Sequence, residues 1–192
     1  EGKDKKVQNV HFRDNEYFFD YMNNKAIEDG RKALLLYGSR RWSKSVIMSS
    51  FITHGMYTIE NCKGSIQGFS GADLDQLRGY IGESVTSLSE ALKVNILRNN
   101  DKSFELGLKR TQQDEYEFAR LAILNLEAGS KMGSQKTAGG TPDISVFDEI
   151  GKGDILKPWG AATPSFEGGK DGKWRCRALL SGTAGEGELS KD

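Results

Sequence analysis

Apolar residues along this chain arrive in short blocks separated by glycine-rich or charged segments, and the spacing inside each block separates strands from helices. Ala33-Leu34-Leu35-Leu36-Tyr37, Ile144-Ser145-Val146-Phe147 and Trp174 to Leu180 read as strands, and a shorter one is expected at Gly64 to Phe69. The stretch Val46 to Ile52 predicts a helix from Lys44 to about Gly55, with that glycine as its stop. Leu74, Leu77, Ile81, Val85, Leu88 and Leu92 recur at three-to-four spacing across Ala72 to Leu97, the pattern of one amphipathic helix or of two interrupted near Gly82. Ser103 to Lys109 and Tyr116 to Leu126 flank the polar turn Thr111 to Asp114 and would pair as a hairpin, although the second is equally compatible with a helix. Upstream, Phe12, Tyr17, Phe18, Phe19 and Tyr21 fit a helix with one packed face that ends at Gly30. Gly129 to Gly140 reads as a mobile loop, and beyond Pro158 and Pro164 a second glycine-rich loop runs from Glu167 to Lys173. There is no internal repeat. Strands alternating with helices predict an α/β fold with a mainly parallel sheet, which places ligands at the carboxyl ends of its strands.

Composition narrows the class without choosing a function. At 192 residues, 36% hydrophobic, the chain can close one real core, and its mean hydropathy of -0.57 is that of a soluble protein. No apolar run reaches membrane-spanning length. The 27 basic and 27 acidic residues cancel, so no global positive field argues for nucleic acid, and a local patch is left open. Cys62 and Cys176 lack a CxxC partner and His11 and His54 are the only imidazoles, which suggests neither a zinc site nor a disulfide framework and fits a reducing, intracellular setting. The chain opens on a charged segment at Glu1 without an initiator Met or a signal-peptide pattern, and is read as a piece of something longer.

Three short segments carry candidate chemistry, each at the end of an apolar strand. The first is Gly38-Ser39-Arg40-Arg41-Trp42-Ser43-Lys44-Ser45, placed where a strand turns into a helix. A triphosphate needs inward-pointing backbone N–H groups, a helix N-terminus and a cation at its terminal phosphates. Lys44 supplies the cation, the Ser45 hydroxyl a magnesium ligand, and Gly38 the tight departure from the strand. The usual pattern has glycine before the lysine, where this chain has Ser43. Arg40 and Arg41 can reach a γ-phosphate or can be ordinary surface arginines, and Trp42 suits packing better than chemistry. The second segment ends in Asp148-Glu149: Asp148 would hold magnesium, and Glu149 would orient and deprotonate an attacking water. Such pairs also occur as solvated turns. The third, Ser181-Gly182-Thr183, is by itself an ordinary polar turn, and in this position would contact the acidic site and couple the γ-phosphate to a neighbouring surface. The order of loop first and acidic pair later, each at the end of an apolar strand, favours the catalytic reading over two independent accidents.

Together these motifs resemble the ATPase domain of the large terminase subunit of tailed bacteriophages, over roughly residues 31–186, with Lys136 and Gly140 shortly before the acidic strand adding to the likeness. The resemblance implies a P-loop NTPase fold of the RecA/ASCE-like kind, an N-terminal helical extension over residues 1–30, and a tail over 187–192 leading toward a downstream nuclease domain. It implies an ATP hydrolase with Mg2+ that translocates double-stranded DNA into a procapsid. The implied setting is the host cell cytoplasm, as a homo-oligomeric ring working with a portal protein and a small terminase subunit, away from membranes. Carried onto this chain, phosphate and magnesium fall to Lys44, Ser45 and Asp148, a phosphate-reaching arginine to Arg40, and the catalytic glutamate to Glu149. Arg78, Arg110 and Arg120 are candidates, without motif support, for an arginine acting on a neighbouring subunit. Two other readings fit the same motifs: a DEAD-box-like helicase ATPase, which would need a second RecA-like domain, and a nucleotide-binding assembly module without turnover.

Overall fold

The computed structural model describes residues 14–29, 33–38, 43–100, 102–109, 115–125, 141–168, 173–174 and 176–183. The expected loop at Gly129 to Gly140, the turn Thr111 to Asp114, Gly30 and the segment Ser39 to Trp42 lie outside the described residues.

In chain order the elements are α1 (Asp14–Glu28), β1 (Ala33–Gly38), α2 (Lys44–Thr58), β2 (Cys62–Gly68), α3 (Gly71–Leu92), β3 (Asn95–Asn99), β4 (Ser103–Lys109), β5 (Glu115–Asn125) and β6 (Ile144–Asp148). A single 3-10 turn (Ile150–Lys152), α4 (Leu156–Phe166), the two-residue strands β7 (Glu167–Gly168) and β8 (Lys173–Trp174), and β9 (Arg177–Thr183) follow. Seven strands form one sheet in the order β1-β9-β6-β2-β5-β4-β3. The neighbours from β1 to β5 are parallel, and β4 and β3 add an antiparallel edge. The expected mainly parallel sheet flanked by helices is therefore the observed one, and β5 is a strand rather than a helix.

Register assigns the two faces. Leu36, Leu179, Val146 and Ile66 share one face, which α2 and α3 cover with Ile47, Met48, Ile52, Met56, Leu74, Leu77, Ile81 and Val85. Full burial of such side chains stabilises the fold by about 1.5–3 kcal/mol each. On the other face α4 lays Trp159, Ala162 and Phe166 against Phe147 and Ala178. The three rings meet edge to face, with centroids 5.5, 5.7 and 6.5 Å apart.

Four elements depart from the pattern reading. α2 does not stop at Gly55 but runs to Thr58, because Gly55 is buried against β6 and its missing side chain makes room for Ile144. α3 is continuous through Gly82, which packs on the Phe104 ring, and ends at Leu92. There Lys93 turns left-handed (φ 56°) and the Val94 N–H closes on Ser89 O, so the last apolar residues of the expected helix become β3. The sequence reading left residues 156–166 without an element, yet they form α4 with both prolines inside: Pro158 lies in the first turn, where an N–H has no helical partner, and Pro164 in the last. The expected strand from Trp174 to Leu180 is split, Trp174 pairing with Glu167 in a small hairpin while β9 extends to Thr183.

Candidate active site

Because β1, β9, β6 and β2 are parallel neighbours, their carboxyl ends form one edge. Gly38 is in register with Thr183, and Asp148 with Gly68. α2 starts at this edge too, since its first residue, Lys44, bonds to Gly38 O at the end of β1.

Ser43, just before the helix, is left-handed (φ 58°, ψ 25°), and its side chain does not cap the helix. The first turn of α2 therefore lies at this edge without a cap from the Ser43 hydroxyl, and a helix N-terminus is a place that attracts anions. Lys44 opens α2 and folds back over the edge, only 5% exposed. Its ammonium donates to Gly38 O at 3.0 Å and to Thr183 Oγ1 at 3.0 Å. Thr183 in turn donates to Glu149 Oε1 at 2.7 Å. Glu149 is left-handed as well (φ 49°, ψ 51°), which turns its side chain from β6 toward the tip of β9. Its N–H donates to Asp148 Oδ1 at 2.9 Å, and Asp148 is 4% exposed. A continuous hydrogen-bonded path thus joins the first helical residue after β1, the last residue of β9 and the acidic pair at the end of β6.

Ser45 is half-buried in the first turn of α2. Ser181 is fully buried two residues before Thr183 on the same face of β9, and its Oγ has no partner among the described residues. Gly182 faces the other way, where a Cβ would come within 3.2 Å of Tyr37 and 3.4 Å of Ile150, so a small residue is required. Gly38, Ser43, Lys44, Ser45, Asp148, Glu149, Ser181, Gly182 and Thr183 accordingly occupy one edge, whereas Ser39, Arg40, Arg41 and Trp42 lie outside the described residues. Of the arginines singled out in the sequence, Arg78 is bound to Asn100 O and Asn99 Oδ1 over the Phe104 ring, and Arg120 pairs with Glu105. Arg120 also stands beside Lys63 near the start of β2, toward the opposite edge of the sheet. Arg110 lies outside the described residues.

One polar group near the site escaped the sequence reading. Ser145, which interrupts the apolar run of β6, shares a hydrogen bond with Ser65 Oγ at 2.8 Å, and Gln67 Nε2 reaches both serines at 3.3 and 3.4 Å. The alternation of Ser65 and Gln67 along β2 was the available signal, but only the register of β2 on β6 makes the three neighbours.

No group of three or more His, Cys, Asp and Glu among the described residues can hold a metal ion. The protein oxygens at this edge that could hold a magnesium ion are those of Ser45 and Asp148, hard donors of the kind that ion takes, and the ion would supply positive charge to an anion bound there.

A seven-stranded, mostly parallel sheet carrying a lysine at the start of the helix after β1 and an acidic residue at the end of β6, with β9 between those two strands, has a P-loop NTPase fold. More narrowly, it is the fold of the ATPase domains of phage large terminases. A point variant of the Thermus phage P74-26 large terminase ATPase domain superposes with a TM-score of 0.64 at 14% identity, over 83% of this chain and 63% of that one. The bacteriophage HK97 large terminase gives 0.64 at 15%, over 93% of this chain and 35% of that one. The large terminase of a thermophilic bacteriophage in complex with ADP gives 0.61 at 16%, over 90% and 39%. The chain thus spans less than two thirds of the length of each. No protein-family model and no curated protein matches the sequence. No helix among the described residues is long and apolar enough to cross a membrane.

Proposed function

We propose that this chain is the ATP-hydrolysing motor domain of a phage-type large terminase. The observation that carries the reading is the hydrogen-bonded path from Lys44 through Thr183 to Glu149, beside the buried Asp148, at the carboxyl edge of a parallel sheet. The ammonium of Lys44 and the first N–H groups of α2 would bind the β- and γ-phosphates, and Arg40 would add a second cation. Ser45 and Asp148 would hold magnesium, which supplies charge neutralisation at the phosphates. Glu149 would accept a proton from the water whose oxygen bonds to the γ-phosphorus as the bond to the β-phosphate oxygen breaks, leaving ADP and inorganic phosphate. The ADP-bound thermophilic phage terminase supports the nucleotide, and the likeness to the N-terminal domain of the DNA packaging ATPase from bacteriophage phi29 supports DNA, in our reading double-stranded, as the moved substrate. A homo-oligomeric ring on a portal protein, loaded by a small terminase subunit, completes the proposal. A DEAD-box-like helicase reading would require a second RecA-like domain, and a non-hydrolysing module would leave Glu149 without a task.

The test is nucleotide binding and turnover by the purified chain with magnesium. Lys44→Ala is expected to abolish binding of a fluorescent ADP analogue. Glu149→Gln is expected to bind as the parent does while losing at least about a hundredfold in ATP turnover, the range for a general base. Turnover by Glu149→Gln at the parent rate, or no nucleotide binding by the parent at millimolar concentration, would overturn the proposal.

A further inference from the structure

We propose that Phe69, in the turn between β2 and α3, is a positioning residue for Glu149. The inference rests on the hydrolytic reading above and deepens it. Gly68 and Asp148 are register partners at the ends of β2 and β6, so Phe69 and Glu149 are the first residues past that pair on neighbouring strands. After Glu149 the chain makes its 3-10 turn, closed by a bond of 3.0 Å from the Lys152 N–H to Glu149 O, and reaches Gly153. There the half-buried Phe69 ring lies against the backbone: a Cβ at Gly153 would stand 2.6 Å from Phe69 Cε1 and 3.0 Å from its Cγ. Gly153 is extended (φ -160°), which any residue adopts, so the close approach of the ring and not the dihedral angle is what calls for glycine.

Glu149 needs support of this kind. A left-handed backbone at a residue with a side chain persists only where its surroundings over-determine it. Pairing with β2 fixes Asp148 just before Glu149, and the apolar cluster beneath α4 takes in Ile150 just after it. The Phe69 ring fixes the far end of the turn. That ring is itself held in place, because Leu74 of α3 folds onto Gly68, where a Cβ would come within 3.0 Å of Leu74 Cγ, and the Leu74 N–H bonds to Ser70 O at 3.2 Å. Without the ring the turn after Glu149 is free at one end, and the carboxylate loses its set starting direction. Nucleotide binding is spared, since Lys44 is held by β1 and β9, and β6 separates these strands from β2.

If the ring serves packing alone, its removal slows turnover by the same factor whether or not Glu149 is present. If it acts through the carboxylate, the loss disappears once the carboxylate is gone. Phe69→Ala is expected to lower kcat for ATP by about tenfold, with ADP affinity within threefold of the parent. In a Glu149→Gln background, measured by single turnover with the chain in excess, the same substitution is expected to change the residual rate by less than threefold. A kcat for Phe69→Ala within threefold of the parent, or equal losses in the two backgrounds, would overturn the proposal. Should the alanine variant fail to fold, Gly153→Ala strains the same contact from the other side, and parent-like kcat there would overturn it likewise. A parent chain that binds ADP but never turns over ATP overturns the hydrolytic reading together with this one. A parent that loses turnover in Glu149→Gln and keeps it in Phe69→Ala overturns only the role of Phe69.

Discussion

Two residues at this edge hold backbone conformations that a side chain disfavours. Ser43 (φ 58°) and Glu149 (φ 49°) are left-handed, at a cost of about 1–2 kcal/mol for an ordinary residue. At Glu149 that conformation is what carries the carboxylate from the end of β6 to Thr183, so the strain is tied to the contact. At Ser43 the geometry gives the reason glycine is usual before a phosphate-loop lysine: it reaches this conformation without a Cβ penalty. Ser43→Gly is therefore expected to raise unfolding free energy by about 0.5–1 kcal/mol, the relief being offset in part by the greater freedom of glycine in the unfolded chain. Urea denaturation of the two proteins measures this, and a decrease would show that the serine side chain is needed where it stands. The sequence marked position 43 as a departure from the pattern. It did not reveal that the departure concerns backbone conformation as well as room for phosphate.

At the scale of elements, glycine proved the least legible residue. Gly55 reads as a helix stop, and Gly82 leaves open one helix or two, yet each lies within a continuous helix, against Ile144 and Phe104 respectively. A glycine at a helix end and a glycine at a close approach look alike until the neighbouring element is known. The distinction is measurable at α2. Gly55→Ala gains about 1 kcal/mol of helix propensity, but its methyl would fall on Ile144 Cδ1 in a packed interior, and overpacking costs about 1–3 kcal/mol. A net loss of up to about 2 kcal/mol is expected in thermal or urea unfolding. Ile144→Val removes the opposing atom, so in that background Gly55→Ala should become neutral or stabilising, and a double-mutant cycle should return a coupling above about 1 kcal/mol. Additive effects would mean that α2 and β6 are not in contact at this point. The strand β3 and the helix α4 were hidden for related reasons: Lys93 ends α3 through a left-handed turn that lysine does not announce, and prolines in the first and last turns of α4 resemble loop residues in sequence.

At the scale of the whole molecule, the edge of the sheet opposite the candidate site holds two buried thiols on either side of Asp143, which pairs with Lys63 through N–H···O bonds of 2.7 and 2.8 Å. Burial, and then the Asp143 carboxylate, push Cys62 from 9.0 up to about 12 and push Cys176 up as well. The folded state keeps these protons after the unfolded chain has lost them. Their stabilising effect is therefore complete below pH 9 and is lost as pH rises from there toward 12, by about 1.4 kcal/mol per thiol per pH unit. Unfolding free energies at pH 7.5 and 10.5 should show this fall, and Cys62→Ala should make it shallower; the same slope in both proteins would exclude the thiol as its source. From sequence the two cysteines counted only as an absence of metal or disulfide patterns, because their common neighbourhood is made by β2, β6 and β9 lying side by side. The same division holds for the protein as a whole. Local pattern was enough to determine the alternation of strands and helices, the mainly parallel sheet, and the three polar segments at strand ends, since each depends on residues close together in the chain. Only the tertiary structure decided that a lysine and a threonine 139 positions apart share a hydrogen bond, and that the threonine passes it to Glu149, because side chains from three strand ends meet only where the sheet sets those ends in one row.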